Sequence, residues 1–564
     1  MAQAPTICLN MIVRDESQVI TDLLDTMLPF IDTWVIVDTG SSDGTQDVIR
    51  NYFAERGVPG ELLERPWRNF GANRTEAVQL AQGHADYIWQ MDADDVFVGT
   101  PDLTNLTADC YLLAVKFGDL LFWRPHIFRS GPPWRWEGVL HEYSTCDEPF
   151  TQKQLGGECW IQVRPSVGAR SRDPQKYQRD AEILLAEVHR NPDDARSVFY
   201  LAQSYRDCGD LRSARQWYKH RAEMGGWGEE VFCSLMREAE CMAGLDEPWG
   251  MVQDAYLKAW SYRPTRVEPL CAIATHYRAN QEWQLGYFFA KEAAQIPMPA
   301  DVLFVRHRMY TITAVDELAI CASRLGKHDE AFAACQTLLA RDDLDDATRA
   351  RIVANREFSV PAVLAASLLY PEELARNLVA GPADSEITVT LISCDDRAET
   401  ERTLNSFLNC CNDIERVGRF LLIDTGLSEE DRAWLAERYP FLEQRRKKTG
   451  NLAKIGKSIG GRFWLHLGQG WQLFSAEPLI SRLTAILDAE PAVYQVGLNY
   501  TDATEPAGLS AAQSIVRTHP GTGRYTLTTT PATGPAMYDT TRINQSDRTT
   551  ATLAGIIVSK QSGI

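Results

Sequence analysis

Three carboxylates, Asp92, Asp94 and Asp95, close the apolar run Tyr87-Ile88-Trp89-Gln90-Met91. An extended segment that ends in closely spaced carboxylates puts hard oxygen donors at the mouth of a sheet. There a divalent cation can bridge the protein and the phosphates of a substrate. Acidic strand ends are common, so this pattern alone is a weak signal. A second segment strengthens it: Trp34-Val35-Ile36-Val37 runs into Asp38-Thr39-Gly40-Ser41-Ser42-Asp43-Gly44-Thr45, another strand ending in carboxylates and a turn. Asp38 and Asp43 follow a different strand and do not easily share a metal shell with Asp92. Their better task is to accept hydrogen bonds from N–H and O–H donors of a ligand. Asp43 also suits a helix N-cap before Gly44-Thr45. Arg74 fits a diphosphate, whose oxygens favour a guanidinium fork, or else it is a solvated helix residue. Trp134 and Trp136 offer aromatic faces on which a ligand could stack, although buried packing is the commoner fate of Trp.

The elements that must position these residues alternate through the first hundred residues, as in a mostly parallel sheet covered by helices. Thr6 to Val13 reads as a buried first strand. A helix is predicted from Asp15-Glu16-Ser17, with Val19, Ile20, Leu23, Leu24, Met27 and Leu28 at helical spacing. The strand 34–38 follows, then a helix from near Asp43, a short strand near Glu61-Leu62-Leu63, and a helix from about Ala72 to Gln82 closed by Gly83. No Gly-x-Gly-x-x-Gly turn is present, which disfavours an ordinary dinucleotide fold.

From about 171 to 345 the pattern becomes helical and repeats itself. Leu201, Ala202, Tyr205, Gly209, Ala214 and Tyr218 fall where a tetratricopeptide repeat places its small and aromatic residues. Ile273, Ala274, Tyr277, Gly286, Ala290 and Ala293 form another copy, and Leu318, Ala319, Ala322, Gly326, Ala331 and Cys335 a third. Arg221 and Gly226 depart from the consensus. Residues 346–385 read as a helical cap and linker. Beyond them the opening pattern recurs: Leu421-Leu422-Ile423-Asp424-Thr425-Gly426 echoes Val35 to Gly40, and Phe463 to Trp471 echoes Tyr87 to Asp95 with Gly468 and Gly470 in place of Asp92 and Asp94. Residues 386–540 are therefore expected to be a second α/β domain without metal ligands, and the Thr- and Ser-rich stretch 541–564 a weakly specified polar tail.

At 564 residues the chain is too long for one core. Its net charge of −19 and pI near 5.1 argue against a broad polyanion-binding surface, so nucleic acid is a disfavoured partner despite the local cluster Arg445-Arg446-Lys447-Lys448. No run approaches the ~18 apolar residues of a membrane span, and the N-terminus lacks a signal-peptide core. The 13 cysteines form no Cys-x-x-Cys pair, which leads us to expect a reduced, cytoplasmic setting without structural zinc.

The N-terminal third resembles glycosyltransferase family 2 with the GT-A fold. The resemblance is carried by Met11-Ile12-Val13-Arg14-Asp15-Glu16, the turn from Val37 to Thr45, Asn73-Arg74 and the Asp92-Ala93-Asp94 motif. Trp136-Glu137-Gly138-Val139-Leu140-His141-Glu142, with Phe199 to Asp207 and Met224 to Glu230, resembles a subgroup fused to tetratricopeptide repeats. The expected architecture is multidomain α/β plus all-α. An N-terminal GT-A nucleotide-sugar domain (1–170) is followed by the repeats (171–345), the linker (346–385), a degenerate GT-A-like domain (386–540) and the tail. The resemblance implies an inverting transfer of a sugar from a nucleoside diphosphate sugar, UDP-linked donors being the family's commonest, with Mn²⁺ or Mg²⁺. It implies Asp92, Asp94 and His141 as metal ligands, and Asp38, Asp43, Asn73, Arg74 and Asp92 as donor-binding residues. Asp15, where the family usually has Asn, puts base preference in doubt. Inversion needs a general base, for which Glu142 is favoured over Asp95. A macromolecular acceptor, most plausibly a protein Ser or Thr, suits an extended repeat surface, which also suits homo-oligomerisation. An envelope glycan, a modified nucleic-acid base or a non-catalytic repeat scaffold are the alternatives.

Overall fold

A computed structural model describes residues 4–118, 120–164, 167–168, 174–382, 385–393, 395–447, 455–456, 459–498, 515–529, 531–532, 534–543, 549–553 and 557–558. The chain divides into two compact units at Glu317 and Leu318. In the first unit the expected alternation of strands and helices is present: β1 (Ile7–Val13), α1 (Ile20–Met27), β2 (Thr33–Asp38), α2 (Thr45–Arg56), β3 (Gly60–Glu64), α3 (Phe70–Ala81) and β4 (Tyr87–Gln90). The helix α1 begins later than its acidic lead suggested, because Glu16 to Val19 are taken up by a turn whose Glu16 carbonyl accepts from Val19 and Ile20. Then come β5 (Val96–Pro101), β6 (Cys110–Phe117), β7 (Leu120–Arg129), β8 (Arg135–Glu137), β9 (Tyr143–Thr145), β10 (Gln152–Gln154) and β11 (Gly157–Gln162).

The main sheet runs β3-β2-β1-β4-β7-β6-β11-β5, parallel through β4 and antiparallel from β4 to β7 and from β7 to β6. Side chains alternate between its two faces. Ile7, Leu9, Met11 and Ile36 pack with α1 and α2 on one side, and Cys8, Val35, Ile88 and Phe128 with Val78 and Ala81 of α3 on the other. Asn10, fully buried in β1, donates to the Val35 and Ala77 carbonyls at 2.9 and 3.0 Å and so ties two strands to α3.

Seven helices follow, each packed on the next: α4 (Lys176–Arg190), α5 (Ala195–Asp207), α6 (Leu211–Met224), α7 (Gly228–Gly244), α8 (Trp249–Tyr262), α9 (Glu268–Ala279) and α10 (Trp283–Ala294). The small residues expected at helix contacts, Ala202, Ala214, Ala274 and Ala290, are fully buried. Arg221, a departure from the repeat consensus, is also buried, and Glu230 binds its guanidinium through Nε and Nη2 at 3.0 and 2.6 Å. After α10 the chain returns to the sheet as β12 (Val305–Arg306), antiparallel to Leu120 and Leu121 of β7.

In the second unit, β13 (Ile387–Ser393), the helix Arg397–Cys410, β14 (Arg419–Asp424), β15 (Leu442–Arg446), β16 (Phe463–Leu467), β17 (Gln472–Leu473), β18 (Val493–Leu498), β19 (Ile515–His519), β20 (Gly523–Thr528), β21 (Ala536–Asp539), β22 (Thr549–Leu553) and β23 (Ile557–Val558) build the second sheet region. Its order, β15-β14-β13-β16-β21-β18-β22, repeats that of β3-β2-β1-β4-β7-β6-β11, with the same parallel and antiparallel senses. The hairpin β19-β20 is added at the edge. The residues after 540 correct one expectation. Thr549–Leu553 is a strand inside the sheet, with Thr550, Ala551 and Leu553 buried, because alternating β-branched residues suit a half-buried pleat better than a tail.

Candidate active site

The carboxyl end of β2 forms the first wall. Asp38 is 1% exposed, and its Oδ1 accepts from the Gly40 and Ser41 amides at 2.9 and 3.0 Å and from Gln46 Nε2 at 3.1 Å. Gly40, at φ +106°, supplies the backbone turn that brings those amides round. The other oxygen, Oδ2, is buried with no hydrogen-bond partner. A cleft of about 300 Å³ opens here, lined by Asp38, Gly40, Ser41, Gln46, Glu64, Arg65 and Pro66. Asn73 does not line it. Its amide oxygen accepts from the Arg68 amide at 2.8 Å and its Nδ2 donates to the Pro66 carbonyl at 3.1 Å, which fixes the cleft's rim from behind. Asp43 is exposed and occupied locally, accepting from the Thr45 amide and hydroxyl and from the Ser17 amide. Those bonds outweigh the opposing effect of partial burial and hold its carboxyl down to about 2. The N-cap position of α2 itself is Gly44; Asp43, one residue earlier, holds the Thr45 amide and does not line the cleft.

The mouth of β4 forms the second wall. The N-terminus of α3 is capped by Asn69, and Gly71 passes so close to the next segment that a Cβ would lie 2.7 Å from the Gly138 carbonyl. Thr75 Oγ1 accepts from the Trp136 amide at 2.8 Å, completing the dock. This places Arg74 between two carboxylates, with Nη2 2.5 Å from Asp92 Oδ1 and Nε 2.5 Å from Glu142 Oε1. Arg74 is 8% exposed, so its guanidinium is engaged by protein carboxylates and does not stand open to a diphosphate, a correction to the sequence reading. Burial opposes ionisation of Asp92, but Arg74 and Arg124 override it and hold the group low. Asp94 is raised by burial and by Asp92, and its carboxylate lies against Gly168. Asp95, 6% exposed, is pushed up to about 8 by burial and then by its two acidic neighbours.

Sequence reasoning also missed two residues of β7. The β4–β7 ladder pairs Tyr87 with Arg129, Ile88 with Phe128 and Trp89 with Ile127, and on its other side β7 shifts register at His126, between the pairs Tyr111–Ile127 and Leu112–Pro125. His126 Nδ1 donates to the Gln90 carbonyl at 2.8 Å, while Nε2 is buried with no partner. Burial and Arg124 push the imidazole down to about 3, so it is neutral. The half-buried Arg124 makes no hydrogen bond or ion pair among the described residues. A charged residue inside the apolar strand Leu121-Phe122-Trp123-Arg124 was the available signal, but the sequence does not reveal the register.

His141 is not gathered with Asp92 and Asp94. It adopts φ +50°, its ring lies on Tyr200 of α5 at 3.9 Å with the planes 6° apart, and its carbonyl accepts from Arg196 Nε at 2.9 Å. Among the described residues no three His, Cys, Asp or Glu side chains form a group that could hold a metal ion. The carboxylates of Asp92 and Asp94 are hard oxygen donors of the kind a divalent cation takes, and burial first, then the neighbouring acids, raises Asp94 and Asp95. Such ions are commonly held by one or two carboxylates, with water and substrate phosphates completing the shell.

Residues 10–108 match the family model described as glycosyl transferase family 2. The chain carries a glycosyltransferase family 2 domain. A TPR repeat-containing protein of Synechococcus elongatus is 25% identical over 310 residues, which is 51% of this chain and 74% of that protein. Among solved structures, YrrB, a TPR protein with an unusual peptide-binding site, is 14% identical, covering 32% of this chain and 84% of its own at a TM-score of 0.26. TTC0263, a thermophilic TPR protein in Thermus thermophilus, is 16% identical over 32% of this chain and 90% of its own, with a TM-score of 0.24. Among the described residues no single helix is long and apolar enough to cross a membrane.

The second sheet domain repeats the strand order of the first, and at its own strand ends protein side chains take up the corresponding positions. Asp424 ends β14 as Asp38 ends β2, and its Oδ1 accepts from the Gly426 and Leu427 amides at 3.0 and 2.8 Å. Its Oδ2, however, accepts from Arg432 Nη1 at 2.9 Å. Beyond β16, a Cβ on Gly468 would lie 2.7 Å from Trp471 Cδ1, so an aromatic ring occupies the ground where Asp92 stands in the first domain. Part of the basic cluster is neutralised as well: Arg445 pairs with Glu443 at 2.6 Å, and Arg446 faces Asp424 and Glu429. Lys448 lies outside the described residues.

Proposed function

We propose that the N-terminal domain is a metal-dependent inverting glycosyltransferase that takes a sugar from a nucleoside diphosphate sugar, UDP-linked, and delivers it to a hydroxyl of a macromolecule. The observation that carries this reading is the bare Oδ2 of Asp38. A buried acceptor without a donor costs about 1–3 kcal/mol, and an N–H of a nucleobase held in the adjoining cleft would satisfy it. The same atom of Asp424 is already satisfied by Arg432, which supports a ligand role for the first copy and none for the second.

Asp92 and Asp94 would hold Mn²⁺ or Mg²⁺. When bound, the ion neutralises the charge that develops on the departing diphosphate. Glu142 is the general base in this reading. Arg74 fixes its Oε1, and Oε2, which makes no hydrogen bond among the described residues, is left to take the acceptor's hydroxyl proton. Asp95 supports the turn from behind. Helix-pair repeats offer extended surfaces suited to peptides, so a protein Ser or Thr is the acceptor class we favour.

Hydrolysis and binding of UDP-, GDP- and dTDP-sugars with Mn²⁺ or Mg²⁺ test the proposal. The expected outcome is metal-dependent hydrolysis, with a raised melting temperature for one nucleotide class, and loss of turnover by at least about 100-fold in the double variant Asp92→Ala/Asp94→Ala. A wild-type chain that binds no donor and behaves like the double variant would sink it.

A further inference from the structure

A carboxylate serves a cation well only if the backbone that carries it is held in place. Just before Asp92, one peptide unit is held from both sides. The peptide joining Gln90 to Met91 is planar and trans, so its N–H and its carbonyl point in opposite directions. The Met91 amide donates to the Asn10 carbonyl of β1 at 3.2 Å. The Gln90 carbonyl accepts from His126 Nδ1 of β7 at 2.8 Å. This second bond lies beyond the strand ladder, whose last pair is Trp89 with Ile127. On its other edge β7 bulges at His126, between the pairs Tyr111–Ile127 and Leu112–Pro125, and Pro125 has no N–H to offer. The imidazole supplies the donor where the ladder has ended. Packing does not explain a histidine here. The residue is 4% exposed, and its Nε2 is buried with no hydrogen-bond partner. An apolar side chain would fill the space without leaving that acceptor bare.

Resting on the metal-site reading above, we propose that His126 is a positioning residue for the cation ligands: its Nδ1–H fixes the Gln90–Met91 peptide, and through it the direction in which Asp92, the next residue, leaves β4. The chain turns at once beyond that peptide, the Asp95 amide donating to the Asp92 carbonyl at 3.3 Å, and the Asp92 carboxylate meets Arg74 Nη2. With the peptide held by two neighbouring strands, the turn from Asp92 to Asp95 starts from a fixed plane. A bulge re-aims a side chain, and this one accompanies an imidazole that bonds the backbone of the adjacent strand. His126 touches neither the ion nor a substrate in this role; it acts through the backbone of its neighbour.

The test uses the full chain and two readouts, the affinity for Mn²⁺ alone and hydrogen exchange of the amides from Met91 to Asp95 in EDTA. His126→Leu keeps an apolar volume and removes the donor. It is expected to weaken Mn²⁺ binding by about 10- to 100-fold, the range for residues that orient a metal ligand from behind. Exchange from Met91 to Asp95 is expected to quicken by about 10-fold or more in EDTA. The melting temperature should stay close to wild type, since one bare buried acceptor, Nε2, is traded for another, the Gln90 carbonyl. His126→Asn sets an amide N–H where Nδ1–H stands and is expected to keep both readouts near wild type. His126→Gln, whose amide reaches the Nε2 position instead, should behave as His126→Leu does and replaces it if the leucine variant does not fold. Wild-type affinity and exchange in His126→Leu and His126→Gln would overturn the assignment. So would an asparagine variant as impaired as the leucine one, or exchange quickened equally throughout the sheet, which would leave His126 a packing role only. A wild type that binds no Mn²⁺ removes the metal-site reading and this proposal with it; a wild type that binds, with His126→Leu matching it, removes the role of His126 alone.

Discussion

At the scale of single residues, the site is a chain of charges: Glu142, Arg74 and Asp92 joined in sequence. Removing the middle link leaves two carboxylates facing each other in a mostly buried setting. Arg74→Ala is therefore expected to destabilise the protein by about 3–5 kcal/mol, the range for breaking a buried pair from one side, and to abolish turnover; denaturant unfolding and hydrolysis assays check both. Asp43 allows a pH prediction. Its folded carboxyl titrates near 2, against about 3.9 in an unfolded chain, so the unfolded state takes up the proton first. The stabilisation is complete above about pH 4 and is lost as the pH falls toward 2. Asp43→Asn should cost about 1 kcal/mol at pH 7, a cap-sized effect reduced by solvent screening, and its difference from wild type should shrink below pH 4 in acid-unfolding curves. Asp38, Arg74, Asp92 and Glu142 were all legible in the sequence as candidates. The partners of Arg74 and the place of His141 were not, because they depend on which loop a helix touches.

At the scale of elements, the loop Gly138 to Glu142 is held by α3 from one side and by the repeats from the other. Leu140, 6% exposed, packs with Ala181, Leu184 and Val188 of α4 and with Val198 and Leu201 of α5. Arg196 and Tyr200 of α5 clamp His141, so the first repeat helices set the position of Glu142. The stacking needs the Tyr200 ring and not its hydroxyl. Tyr200→Phe should keep wild-type turnover, whereas Tyr200→Ala should lower kcat by about 10-fold or more with a small change in melting temperature; steady-state kinetics on the two variants decide it. Equal kinetics in Tyr200→Ala would show that the loop holds its own shape. The repeats themselves were legible from their small and aromatic spacing, as were the strands and helices up to β4. The return of the chain to β7 as β12 was not, since a two-residue strand has no periodicity to detect.

At the scale of the whole molecule, one strand order is used twice and one of its two strand-end sites is filled by the protein itself. Hydrogen exchange with the preferred nucleotide sugar and Mn²⁺ should slow amides at the ends of β1, β2 and β4 and leave 387–498 unchanged. Protection at β14 would contradict the occlusion of Asp424 by Arg432. By itself the sequence determined the element types, the helical repeats, the two related strand patterns and the loss of Asp92 and Asp94 equivalents in the second. These follow from local periodicity and from residue identity, which need no knowledge of distant neighbours. The tertiary structure alone decided that Arg74 is an internal link, that His141 rests on a repeat helix, and that Asp38 keeps a bare oxygen where Asp424 does not. Each of those is a contact between segments far apart in the chain, set by strand register and by how closely two backbones can approach.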